Sequence, residues 1–252
     1  MTARSPLPAP ARVAAKVPED TRVYAIGDIH GRADLLADLL EMIRADAARA
    51  PEGRQVLVTL GDHVDRGDWT RHVVDMLLED PLPDAELVTL KGNHEELLLR
   101  FLEEPEAVAR LWLGNGGDAT LRSYGIEPSR YLGLADGWQR MSRLFAEALP
   151  AAHRRFYENL RLHHREGGYL FVHAGIRPGV PLAEQTSETL LWVRDLFLSS
   201  EEDHGSVVVH GHTVAWAPEE RPNRIGIDTG AFMTGRLTCL VLAGEERRFL
   251  ST

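Results

Sequence analysis

From residue 22 onward, short apolar runs alternate with longer segments of helical periodicity. Val23-Tyr24-Ala25-Ile26 is an apolar run closed by Gly27, which reads as a buried strand. Leu35, Leu36, Leu39, Leu40 and Ile43 then recur at helical spacing and predict a helix over 33–49, ended by Pro51 and Gly53. Val56–Leu60 reads as a second strand, closed by Gly61. Val73, Val74, Leu77 and Leu78 predict a helix before Pro81, Leu87–Leu90 a third strand, and Glu95–Leu102 another helix. Strands alternating with helices predict an α/β layered fold.

The pattern changes between about 103 and 165. Trp112, Leu113, Leu121, Met141, Leu144 and Phe145 keep helical spacing with almost no strand signal, so this stretch reads as a helical insertion in a single domain. Beyond it, Tyr169–Val172, Val207–Val209, Arg224–Ile227 and Leu237–Leu242 read as strands, with one clear helix over 187–198. Residues 1–20 carry Pro6, Pro8, Pro10 and Pro18 and no apolar core of the signal-peptide kind. They read as a disordered, mildly basic leader, leaving 21–252 as the folded domain.

Composition narrows the functional classes. The chain has 252 residues, 28 Lys and Arg against 38 Asp and Glu, and a formal charge of −10. An acidic balance argues against a nucleic-acid partner, because phosphate backbones need clustered cations. No apolar run approaches the roughly 20 residues of a membrane span, so no membrane partner is expected. The single cysteine, Cys239, permits no intramolecular disulfide and suits a reducing, cytoplasmic setting. Nothing in the sequence bears on oligomeric state.

Polar clusters follow the apolar runs. Gly27-Asp28-Ile29-His30-Gly31 follows the first strand, Gly61-Asp62-His63-Val64-Asp65-Arg66-Gly67 the second and Gly92-Asn93-His94-Glu95 the third. His173-Ala174-Gly175 and His210-Gly211-His212-Thr213 follow two later strands. In α/β folds, functional side chains gather just past the carboxyl ends of strands. Asp, His and Asn are hard or borderline donors suited to divalent metals, and no thiolate is among them. HAG or GHT alone is weak evidence. Five such clusters in order, each after a strand, are strong evidence together.

This set of blocks resembles the PPP family of metal-dependent phosphoprotein phosphatases, within the calcineurin-like metallophosphoesterases. The nearest likeness is to the small bacterial and lambda-phage type. It covers about residues 21–250 and implies a mixed β-sandwich flanked by helices, in four layers, around two metal ions. By that resemblance, Asp28 and His30 bind the first ion, Asp62 bridges both, and Asn93, His173 and His212 complete the second site. A hydroxide shared by the ions attacks phosphorus directly. His94 is the general acid, Asp65 orients its imidazole, and Arg66 and Arg194 grip the phosphate together with Asn93. Arg194 rests on the weaker Trp192-Val193-Arg194 match. The implied substrate is a phosphoprotein carrying phosphoserine or phosphothreonine, with phosphotyrosine also open, or a phosphorylated small molecule. The donor set accepts Mn²⁺, expected in vitro, or Fe²⁺ or Zn²⁺.

Plainer readings apply to the neighbours. His212 is preferred to His210 as ligand, with His210 supporting or structural. His63 fills a variable motif position, and His72, His153, His163, His164 and His204 lie outside every block. Glu95 supports the loop, Asp228 a turn near the site, and Trp112 and Trp138 the core. The Cys-x5-Arg, Asp-x-Asp-x-Thr and Gly-x4-Gly-Lys-Ser/Thr patterns of other phosphate-releasing enzymes are missing. The chief alternative is a symmetrical dinucleoside tetraphosphate hydrolase. Its members generally lack the aspartate present here as Asp65. A non-catalytic phosphopeptide-binding scaffold is the other class of answer.

Overall fold

A computed structural model describes residues 15–49 and 53–252. Expectations for residues 1–14 and for Pro51 lie outside the described residues. The first half runs β1 (Thr21–Ile26), α1 (Ala33–Ala47), β2 (Arg54–Thr59), α2 (Thr70–Leu78), β3 (Glu86–Thr89) and α3 (Asn93–Glu103). The insertion holds α4 (Pro105–Trp112), α5 (Asp118–Ser123), α6 (Gly137–Ala148) and α7 (Ala151–Glu158), with a wide π-type turn at Leu113–Gly117 joining α4 to α5. There follow β4 (His163–Glu166), β5 (Tyr169–Val172), α8 (Ser187–Trp192), α9 (Asp195–Leu198), β6 (Val207–His210), β7 (Glu219–Glu220), β8 (Arg224–Gly226), α10 (Ala231–Thr234), β9 (Thr238–Ala243) and β10 (Glu246–Ser251).

The strands form two mixed five-stranded sheets, ordered β10-β9-β1-β2-β3 and β4-β5-β6-β8-β7. Strand pleating sends alternate side chains to opposite faces. Tyr24 and Ile26 of β1 therefore join Leu57, Cys239 and Val241 beneath the helices, among Leu36, Leu39, Phe101, Trp112 and Phe145. Val23 and Ala25 point the other way, with Val56, Val58, Leu240 and Leu242, and meet Tyr169, Phe171, Val207, Val209 and Ile225 of the second sheet. On that sheet's far face, Leu170, Val172 and Val208 pack on Ile176, Leu190 and Phe197. The layers are helix, sheet, sheet, helix. Each fully buried aliphatic or aromatic side chain contributes about 1.5–3 kcal/mol.

Three features depart from the sequence reading. β4 ends the stretch expected to be a helical insertion with almost no strand signal, and β7 and β10 add edge strands that no apolar run marked. The helix expected over 187–198 is broken, because Val193 turns extended and Arg194 adopts φ −130°, ψ −104°. Residues 15–17, expected to belong to a loose leader, pack on the fold. Val17 is buried and its N–H donates to the Gly244 carbonyl, while Tyr169 Oη donates to the Ala15 carbonyl.

Candidate active site

Parallel strands from both sheets deliver the polar clusters to one place. β1, β2 and β3 run parallel in the first sheet, and β5, β6 and β8 in the second. The ends meet where the His212 N–H donates to Asp28 Oδ2 at 3.0 Å and His173 Nε2 lies 3.5 Å from Asp62 Oδ1. The turns carrying these side chains are tight. His30, Asp62, Asp65, Arg66 and His212 all have positive φ, between 47° and 71°. A non-glycine residue there costs of order 1–3 kcal/mol, a strain that collects at functional sites. Gly211 leaves room for the carboxylate opposite, since a Cβ there would strike Asp28 Oδ1.

Backbone carbonyls orient the imidazoles. His30 Nδ1 donates to the Val64 carbonyl and His173 Nδ1 to the Leu60 carbonyl, each at 2.9 Å. Both rings therefore present Nε2 to the centre, a tautomer suited to metal ligation. His30 Nε2 lies 3.6 Å from Asp62 Oδ2, and His173 Nε2 lies 2.9 Å from Asn93 Oδ1. Asp28 Oδ1 and His212 Nε2 are buried without a partner. Asp62 belongs to two groups of donor atoms, one with His30 and His94 and one with His173 and His212, within 4.8 Å of one another in each.

The electrostatics favour a cation here. Burial, then Asp228 and Asp62, pushes the Asp28 carboxyl well above its usual range. Burial, then His94 and Arg66, holds His30 well below the usual imidazole range, and burial, then His173 and Arg194, takes His212 down to about 2. The Asp28 carboxyl and the His30 and His212 imidazoles are thus all driven towards neutral forms, a conflict that divalent ions would resolve. The orphaned Asp28 oxygen, the bare His212 nitrogen and the oxygen–imidazole–amide donor set fit such ions. His94 lies close enough to His30 and Asp62 to be counted with them, and Asp28 stands across from it with Oδ2 accepting from the His212 amide.

His94 faces two ways. Its Nδ1 donates to Asp65 Oδ2 at 2.7 Å, and its Nε2 is 3.7 Å from Asp62 Oδ2. Burial alone would lower its pKa, but Asp62 and Asp65 outweigh that and raise it to about 9. Arg66 Nη1 donates to His30 Nε2 at 2.8 Å and Nη2 lies 3.2 Å from His94 Nε2, while the guanidinium sits 4.5 Å over the Phe232 ring. Arg194 is at the rim, its Nη1 3.4 Å from Thr213 Oγ1. All the motif residues expected at the site are thus brought together.

The neighbours take supporting places. Glu95 is fully buried and accepts from the backbone N–H groups of Asp62, His63, Val64 and Gly92. Asp228 accepts from the Gly230 N–H, and burial raises its carboxyl to about 6. His63 pairs with Thr59, and His210 packs edge-on against Phe197, outside both donor groups. Three contacts escaped the sequence reading: Phe232 beneath Arg66, and Trp112 and Thr120 on Asp65. An indole N–H in a core needs a buried acceptor, and that was the available signal for Trp112.

The calcineurin-like phosphoesterase family profile matches residues 21–233. Two bacterial proteins named bis(5'-nucleosyl)-tetraphosphatase PrpE [asymmetrical] align over 85% of this chain and 88% of their own length. The protein from Anoxybacillus flavithermus is 27% identical and that from Bacillus thuringiensis 25%. Among solved structures, one provisionally named a diadenosine tetraphosphatase covers 95% of this chain and 98% of its own at TM-score 0.59 and 22% identity. A Saccharomyces cerevisiae protein serine/threonine phosphatase covers 87% of this chain and 72% of its own at TM-score 0.51 and 17% identity. The likeness to the solved structures concerns the fold. With the profile matched from the first strand to the last short helix, the chain belongs to the calcineurin-like phosphoesterase family.

Proposed function

We propose that this chain hydrolyses dinucleoside tetraphosphates at a two-metal centre. The observation that carries this reading is the alignment, over 85% of the chain, with relatives named for that activity. Asp28, His30, Asp62, Asn93, His173 and His212 would hold the two ions. When bound, such ions polarise a phosphoryl oxygen and make water a competent nucleophile near neutral pH. Arg66 and Arg194 meet phosphate oxygens with fork-shaped donors. Asp65 fixes the His94 ring through Nδ1, and His94 gives its Nε2 proton to the departing oxygen, a contribution of about 10²–10⁴-fold where that oxygen leaves poorly.

The same contact supports a second reading, phosphomonoester hydrolysis, with phosphoserine and phosphothreonine in proteins as substrate and phosphotyrosine beside them. An alkoxide needs a proton on departure far more than a phosphate group released from an anhydride does. The 2.7 Å contact between His94 and Asp65 is the arrangement an alkoxide would demand. Turnover by the Mn²⁺-loaded protein on diadenosine tetraphosphate, a phosphoserine peptide and a phosphotyrosine peptide separates the two. A kcat/KM at least tenfold higher on the dinucleotide is expected. Preference for a peptide would transfer the assignment to the second reading, and hydrolysis of none of the three would leave a binding scaffold. The products, two ADP or ATP with AMP, distinguish symmetrical from asymmetrical cleavage.

A further inference from the structure

We infer that Trp112 and Thr120, both from the helical insertion, are positioning residues for proton donation by His94, acting through Asp65. This rests on reading His94 as the proton donor. Asp65 is completely buried, and side chains hold both of its oxygens. Oδ2 accepts from His94 Nδ1 at 2.7 Å and from Trp112 Nε1 at 2.9 Å, and Oδ1 accepts from Thr120 Oγ1 at 2.6 Å. The Thr120 hydroxyl also accepts the Asp65 N–H at 2.9 Å and stands 3.1 Å from Thr70 Oγ1. One hydroxyl thus locks the main chain and the side chain of Asp65 together.

The donors are themselves immobile. The Trp112 ring is fully buried, with centroids 4.7 Å from Phe101 and 5.9 Å from Phe145, so its N–H has one direction available. The turn after it is seated on the same loop, where the Arg66 N–H donates to the Gly116 carbonyl at 3.0 Å. Gly116 has φ 101°, and a Cβ there would strike Arg66. Removing either donor leaves a buried carboxylate free to rotate, and the imidazole bound to it then loses its aim at the leaving oxygen. Binding of substrate and metal uses other atoms, so the damage should fall on kcat and should grow with the basicity of the leaving group.

The test uses the Mn²⁺-loaded protein with 4-nitrophenyl phosphate, a good leaving group, and phenyl phosphate, a poor one. Trp112→Phe keeps an aromatic ring in the core and removes the N–H. Thr120→Val keeps the shape and removes the hydroxyl. Each should lower kcat on phenyl phosphate by about tenfold or more, a fraction of what a general acid supplies. On 4-nitrophenyl phosphate the change should stay within about threefold, with KM unchanged on both. Thr120→Ser should restore wild-type behaviour. His94→Asn is the reference. Should it lose both substrates equally, the proton-donor reading falls and the inference with it. Should His94→Asn be selective while Trp112→Phe and Thr120→Val are not, the inference alone is overturned. If Trp112→Phe shows no cooperative melting, the Thr120 pair decides.

Discussion

The Glu95 carboxylate takes four backbone N–H groups, and against the cost of burial its surroundings, chiefly His63, hold its pKa down to about 2. Two of those amides belong to Asp62 and Gly92, one from each of two motif loops. A glutamine there would aim an NH₂ at backbone donors. Glu95→Gln is therefore expected to cost about 2–4 kcal/mol in urea unfolding, by the price of leaving buried donors unmet. Because Asp62 moves with that loop, Mn²⁺ affinity should also fall about 10–100-fold by calorimetric titration. Unchanged values in both measurements would refute the role. His30, Asp62 and His212 need left-handed backbone as well, so the site's geometry is imposed by the turns before any ion arrives.

Among the elements, Asp46 ties α1 to two strands of the first sheet. Its Oδ2 accepts from Arg22 and Tyr24 of β1 and from Arg248 of β10. Burial would raise its carboxyl, but Arg248 and Tyr24 prevail and hold it below the usual range. A depressed folded-state pKa gives stability that is present above the unfolded value of about 3.9 and is lost as pH falls through the folded one. Asp46→Asn should thus lower Tm at pH 7, with a loss of about 1–3 kcal/mol. The gap from wild type should narrow below about pH 4. A constant gap down to pH 2.5 would remove the ion pair from the explanation.

The same scale shows what the sequence made legible. β1, β2, β5 and β6 are buried on both faces for most of their length and so appear as unbroken apolar runs. Edge strands have one side open to water and carry charge that discourages pairing with other chains. His163–Glu166, Glu219–Glu220 and Glu246–Ser251 therefore show no such run. The site residues were legible because a strand end followed by glycine and a polar cluster is local in the chain. The contacts of Trp112 and Thr120 with Asp65 span 47 and 55 positions, and periodicity carries no information about them.

For the whole molecule, buried acids and imidazoles at the centre oppose folding until cations balance them. Each dication would also offset two of the ten net negative charges. Anything that binds only the folded state stabilises it, by about 2.7 kcal/mol at a hundred times its Kd. Mn²⁺ should then raise Tm by several degrees, and chelation should reverse the rise. Asp62→Asn, which alters the residue shared by both donor groups, should abolish most of that rise and lower turnover more than about 100-fold. A full Mn²⁺-dependent shift in this variant would remove Asp62 from the centre. Among the described residues no helix is long and apolar enough to cross a membrane.

The joining of Asp28 to the His212 amide spans 184 positions. During synthesis the first sheet's contributions emerge early, yet the second sheet's imidazoles arrive only when His173 and then His212 have left the ribosome. The proposed centre can be completed only late, so a chain stalled before His212 would hold half of it and would show no phosphoester hydrolysis while still attached.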